Sequence, residues 1–210
     1  MKKIILLATI LLVAGSVSAQ TYFNGDRADF NPYYQSKWSF EAAANLSNIT
    51  TGANFNTRNL AGFSVGFNLD LPVAYPLSIM PALLYAQKGF TAATPSGEYS
   101  QRLQAVELPV LAKFDTGSIF SLYLGPQISY LVSASNKYNG DFPAALRERY
   151  EYGGINLRYQ GVLGLGIDVT KSFNIHTRYS FDLSGTAANG NAYVPTYHSH
   201  AFQLGFGVHL

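Results

Sequence analysis

The residues able to do chemistry are few. Cysteine is absent from all 210 positions, which removes disulfides, thiolate metal sites, iron–sulfur clusters and cysteine nucleophiles together. Of the four histidines, two share the tripeptide His198-Ser199-His200. Such a triplet could ligate a metal or serve a Ser/His hydrolase. Catalysis, however, needs a base, a nucleophile and an orienting carboxylate within hydrogen-bond reach. No carboxylate lies nearby in sequence, and Asp182 would have to approach across a hairpin. His198 and His200 are therefore expected at the mouth of the fold without a catalytic role. His176 and His209 read as packed hydrogen-bonders. No phosphate loop, dinucleotide fingerprint or metal-spaced cluster is present, so no enzyme activity, cofactor or metal is expected.

Nine charged residues form a second constellation: Glu41, Asp70, Lys88, Glu107, Lys113, Arg158, Asp168, Arg178 and Asp182. Each lies on the polar face of a segment in which apolar and polar residues alternate. Phe173, Ile175, Thr177, Tyr179, Phe181 and Leu183 share one face; Asn174, His176, Arg178, Ser180 and Asp182 share the other. Phe202 to Leu210, Phe120 to Ser133, Val106 to Phe114, Leu157 to Val169 and Phe63 to Asp70 behave alike. Trp38 to Asn48 is diluted by Ala42-Ala43-Ala44, and Leu77 to Phe90 is apolar on both faces. A period of two is the signature of strands, and these segments number eight.

Three connections are short and rich in turn-type residues, at 72–76, 115–118 and 170–172. The others run about 49–60, 91–101, 136–155 and 184–199. Short turns at one end and long loops at the other are the habit of a membrane barrel. Pro81 and Pro109 interrupt strands and predict local bulges.

Composition decides which face meets solvent. The chain is 48% hydrophobic and 12% charged, about half the charge of an ordinary soluble domain. The polar faces offer Ser, Gln, Asn and Gly, a poor surface for a soluble, lipocalin-like barrel. Small residues instead suit the crowded interior of an eight-stranded barrel, where charges of both signs could pair. In hydrocarbon every backbone polar group needs an internal partner, so the sheet must close. The expected fold is an all-β, eight-stranded antiparallel transmembrane barrel of up-and-down topology. Tyr85, Tyr130, Tyr159, Tyr179 and Trp38 are candidates for its aromatic girdles, and Tyr123 for lumen packing.

Residues 1–19 read as an export signal: Lys2-Lys3, an apolar run from Ile4 to Gly15, then small residues up to Ala19. Removing it takes Lys2 and Lys3 from the 14 basic residues, leaving 12 against 12 acidic ones. A neutral chain carries no electrostatic footprint for nucleic acid. Residues 20–36 read as a periplasmic lead-in and 37–210 as the barrel domain. The expected location is the outer membrane, with long loops extracellular and both termini periplasmic. Pro143 to Glu151, a helical turn of alternating charge, is the best loop candidate for contact with a partner.

Leu77-Ser78-Ile79-Met80-Pro81-Ala82-Leu83-Leu84-Tyr85-Ala86-Gln87-Lys88-Gly89 resembles the "Q-P-E-L-L-Y-S-Q-K-G" strand of the PorT-like outer membrane β-barrel family of Bacteroidetes. Leu103 to Phe114 is similar to its "L-E-I-P-L-L-L-K-Y" strand, Leu124-Gly125-Pro126 to its following "G-P", and Phe202 to Val208 to its last strand. Met80 and Ala82 stand where the family has inward Gln and Glu, and Leu210 where a terminal aromatic residue is usual. The resemblance implies a porin-family envelope protein that contacts outer-membrane lipid and the barrel assembly machinery. It also implies, as an alternative to a structural or binding role, a part in protein secretion or envelope assembly with an unidentified partner. A narrow porin and an outer-membrane hydrolase are further alternatives.

Overall fold

The computed structural model describes residues 35–51, 56–94, 97–117, 119–140, 156–183, 185 and 197–210. The expected export signal, most of the expected lead-in and the segment 143–151 lie outside them. Eight strands follow in chain order: β1 (Lys37–Thr51), β2 (Asn56–Ala74), β3 (Leu77–Thr94), β4 (Gly97–Asp115), β5 (Phe120–Gly140), β6 (Leu157–Thr170), β7 (Phe173–Asp182) and β8 (Tyr197–His209). Each pairs antiparallel with its neighbour, and β8 returns to β1 to close the barrel. Closure leaves no edge strand, as hydrocarbon surroundings require.

The alternation resolves as the composition demands. Leu122, Leu124, Ile128 and Tyr130 of β5 are exposed, whereas Ser121, Tyr123, Gln127 and Ser129 are buried. The other strands repeat the pattern except β3, whose inward residues Met80, Ala82, Leu84, Ala86 and Phe90 are apolar too, so the outer face is apolar and the interior largely polar. Trp38, Tyr130, Tyr159 and Tyr179 stand on the outer wall, between 42% and 52% exposed, while Tyr123 packs in the lumen at 5%.

The wall is taller than the alternating segments suggest. Two connections expected to be long shrink to residues 52–55 and 95–96, because β1 to β4 run on past their apolar stretches. β5 likewise continues to Gly140, taking in residues expected to open a loop. These extensions are polar on the outside, so their ladders show no apolar period to read. On β4 the outward apolar residues run from Phe114 to Val106, about 20 Å along the barrel normal at 3.4 Å per residue and ~40° tilt. The polar extension above them is of similar height.

The bulges expected at Pro81 and Pro109 are absent. Pro81 pairs with Val110 and Pro109 with Gln127 without any register shift, since each proline removes a single donor and leaves the phase of the strand intact. One bulge lies in β2 between Asn59 and Ser64, another at Val132, opposite Gln104/Ala105. The second reverses the phase of β5, turning Ser133 outward against the expectation that it lines the interior, and Tyr138 inward beside Tyr99.

At the β2 bulge the backbone of β3 loses ladder partners and takes side chains from β1 instead. The amide of Gly89 donates to Ser47 Oγ (2.7 Å), which in turn donates to the Gly89 carbonyl (2.8 Å). Asn45 Nδ2 reaches the Gln87 carbonyl at 3.4 Å. Gly62 makes room for this close approach: a Cβ there would meet the backbone carbonyl of Gln87.

Candidate functional site

The interior of the barrel is the candidate site, and it is stacked in layers. At the short-turn end Lys113 on β4 reaches Asp70 on β2 at 2.9 Å and Asp115 at 3.4 Å. Ser39 Oγ and His209 Nδ1 are 2.6 Å apart beside them. Above lies an apolar layer of Met80, Leu111, Tyr123 and Val162, contributed by β3 to β6. Arg178 on β7 crosses over the Tyr123 ring, 5.9 Å from its centroid.

Arg178 then grips Glu41 on β1 bidentately, at 2.6 and 2.9 Å, and Asn68 Nδ2 donates to the same carboxylate at 2.6 Å. Two parallel donors on a planar carboxylate make the strongest and most directional ion-pair geometry available. Next comes Lys88 on β3, 2.6 Å from Glu107 and 3.2 Å from Ser180. Gln127 and Gln160 bridge to Asp182, each link 2.7 Å long. Arg158 lies 3.7 Å from Asp182 Oδ2, the same oxygen that accepts the Ser199 amide at 2.8 Å.

Eight of the nine charges read from the sequence are thus brought into ion pairs. Asp168 is the ninth; it is half-buried at the short-turn end of β6 and takes part in no ion pair among the described residues. Asp115 joins the set although its place at a turn gave no sign of a lumen role.

The long-loop end is closed by rings. Phe90, Tyr99 and Tyr197 pack edge to face at 5.7 to 6.0 Å, with Ile49 and Ala92 around them and Tyr138 against Tyr99. Their hydroxyls tie this layer to the polar one below: Tyr197 donates to Gln101 at 3.3 Å, Gln101 Nε2 donates to Tyr99 at 2.8 Å, and Arg158 sits over the Tyr197 ring at 5.7 Å. Sequence reasoning missed both apolar layers. The signal for one existed, since Leu77 to Phe90 is apolar on both faces, and Met80, Leu84 and Phe90 are the inward half of it. Tyr99 and Tyr197 fell in segments expected to be loops.

His198-Ser199-His200 is a stretch of β8, so successive side chains part company. Ser199 is buried toward the interior, while His198 is exposed and His200 packs against Tyr179 and Thr50 on the outer wall. The sheet itself separates the serine from both imidazoles, and no acyl-transfer constellation assembles there. His176 is a buried interior residue, 3.3 Å from Asn174 Oδ1. Among the described residues no group of three or more His, Asp or Glu side chains could hold a metal ion.

A closed ring of eight strands, apolar outside and ion-paired within, inverts the plan of a soluble barrel. Residues 19–188 match the family model described as "Outer membrane protein beta-barrel domain". The chain belongs to that family. Its match stops short of β8, the strand that closes the ring. Among solved structures the chain is similar to Neisserial surface protein A, at 17% identity and a TM-score of 0.54, with 83% of this chain and 98% of that one covered. Ail of Yersinia pestis, solved with the heparin analogue sucrose octasulfate, shares 13% identity over 84% of this chain and 99% of its own, at a TM-score of 0.49. The E. coli outer membrane protein W aligns at 17% identity, 83% and 98% coverage and a TM-score of 0.44. The likeness to Neisserial surface protein A speaks for the fold alone, and the family membership places the protein in the outer membrane. No curated protein sequence matches the chain.

Proposed function

We propose that this outer-membrane barrel has a structural or binding role, with a lumen plugged by its own side chains rather than open as a pore. The observation that carries this reading is the Arg178–Glu41 bridge, together with the Lys88–Glu107 pair stacked beside it, spanning an interior just wide enough for side chains. Water-filled conduction would require those pairs to separate in a low-dielectric interior, where breaking a buried pair is costly. The aromatic layer at the long-loop end supports the same reading. Function then falls to the outer wall and the loops, since rigid scaffolds carry their variable contacts there.

The long loops are taken as extracellular and both termini as periplasmic, which agrees with the short turns gathered at the opposite end. Reconstitution into liposomes tests the plug: no flux of ions or small sugars above protein-free vesicles is expected. Robust flux would refute it. The PorT-like resemblance of β3 and β4 favours a second reading, participation in secretion or envelope assembly through the tall β2–β5 wall. A deletion strain with an altered profile of secreted proteins would favour that reading over a purely structural one.

A further inference from the structure

The outer face of the strands carries just four charged residues among those described: Arg58, Glu98, Arg102 and Lys137. All four lie on β2, β4 and β5, at the long-loop end. The register brings them together. Arg58 pairs with Thr91, Thr91 with Ser100, and Ser100 with Lys137, so one row crosses four neighbouring strands. The Thr91 and Ser100 hydroxyls meet at 2.8 Å within it. Arg102 lies two residues below Ser100 on the same face of β4, and Glu98 two residues above.

All three cations are exposed, and none is within salt-bridge distance of a carboxylate among the described residues. Three positive charges and one negative leave the patch at +2. At 4.8 Å between strands, the row from Arg58 to Lys137 spans about 14 Å, the width of a lipid headgroup carrying more than one phosphate. The height fits as well. Gln87 and Gln104 face each other immediately below, and the apolar band begins at Val106 and Tyr85. The cations therefore sit where acyl chains give way to headgroups. A soluble anion would not need a site continuous with a lipid-facing wall.

We propose that Arg58, Arg102 and Lys137 form a binding site for the phosphorylated headgroup of an outer-leaflet lipid, with the apolar wall of β3 and β4 holding its acyl chains. The site rests on the orientation given above, with the long-loop end outward. Arginine supplies a forked donor set for phosphate and lysine a point charge.

The test uses the full chain in phosphatidylcholine nanodiscs containing either diphosphoryl lipid A or the same lipid with its phosphates removed, with lipid retained on the protein counted by native mass spectrometry. The parent is expected to prefer the phosphorylated lipid on the order of a hundredfold at low salt, roughly fivefold for each cation near a membrane surface. Added salt weakens the preference. The R58Q/R102Q/K137Q variant should retain both lipids alike while still migrating as a folded barrel. Equal retention of both lipids by the parent, or an undiminished preference in the variant, overturns the site. Orientation is read separately, because the chain lacks cysteine. N139C should react with an impermeant maleimide on intact cells, and K171C only after permeabilisation. The reverse pattern overturns the orientation, and with it the assignment to the outer leaflet, whatever the nanodiscs report.

Discussion

Removing one half of the Glu41–Arg178 bridge should destabilise the barrel far more than removing both. The two residues are 2% and 3% exposed and meet bidentately at 2.6 and 2.9 Å, linking β1 to β7 across a chain separation of 137 residues. At an effective dielectric near 20, a pair at such distances attracts by about 6 kcal/mol. Most of that offsets the desolvation of the two ions. E41Q leaves a guanidinium buried without its counter-charge, beside Asn68 whose amide had also donated to the carboxylate. The expected cost is about 3–5 kcal/mol. R178M strands the carboxylate and should cost a similar amount. The double variant E41L/R178M replaces the pair with apolar groups beside the Met80–Leu111–Tyr123–Val162 layer and should fall well short of the summed single costs.

Urea titration of barrels refolded in lipid vesicles measures these differences. Trp38, the single tryptophan, is 46% exposed on the outer wall and reports unfolding by the red shift of its emission on leaving lipid. Unboiled electrophoresis supplies an independent count of closed barrels. Single variants within 1 kcal/mol of the parent, or a double variant as costly as the sum, would refute the claim that the interior is an obligatory ion-paired network.

Three further outcomes follow from the packing. G66A should prevent stable closure, because its Cβ would meet the Leu83 carbonyl of the neighbouring strand; G166A, whose Cβ meets the Tyr123 ring, should cost about 1–3 kcal/mol and be relieved by Y123L. Thermal gel shifts of the four proteins distinguish the two. S47A removes both side-chain bonds to the Gly89 backbone and should destabilise by roughly 1–3 kcal/mol, with faster amide exchange at Gly89 as its specific readout. L204R on the exposed outer face of β8 should cost about 2–4 kcal/mol in bilayers, and a cost below 1 kcal/mol would mean that this face does not contact lipid.

How much was legible in advance can be judged from particular residues. Arg178 and Asp182 could be assigned to the interior because β7 alternates cleanly against Tyr179 and Phe181. Their partners could not be assigned. Arg178 pairs with Glu41 only because closure of β8 on β1 brings β7 near β1, and Asp182 with Arg158 only because the β6–β7 register sets them diagonally across one hairpin. Ser133 was misplaced because one extra residue at Val132 reverses the phase of the strand, and a bulge leaves no mark in a hydrophobic pattern. The expected bulges at Pro81 and Pro109 did not form, since a lost donor need not add a residue. Tyr99 and Tyr197 were hidden for a different reason. They sit on strand extensions whose outer faces are polar, so the period that reveals a membrane strand is missing there.

By itself the sequence determined the solvent on each face. Low charge, alternating apolar residues and the absence of long apolar runs admit one architecture, because backbone groups in hydrocarbon must be paired within a closed sheet. That is local information, carried by each strand alone. Tertiary structure decided everything that depends on register. It chose which lumen charges meet and aligned Arg58, Arg102 and Lys137 in one patch. A side chain's face is fixed by its own strand, whereas its neighbours are fixed by how strands slide against each other as the ring closes.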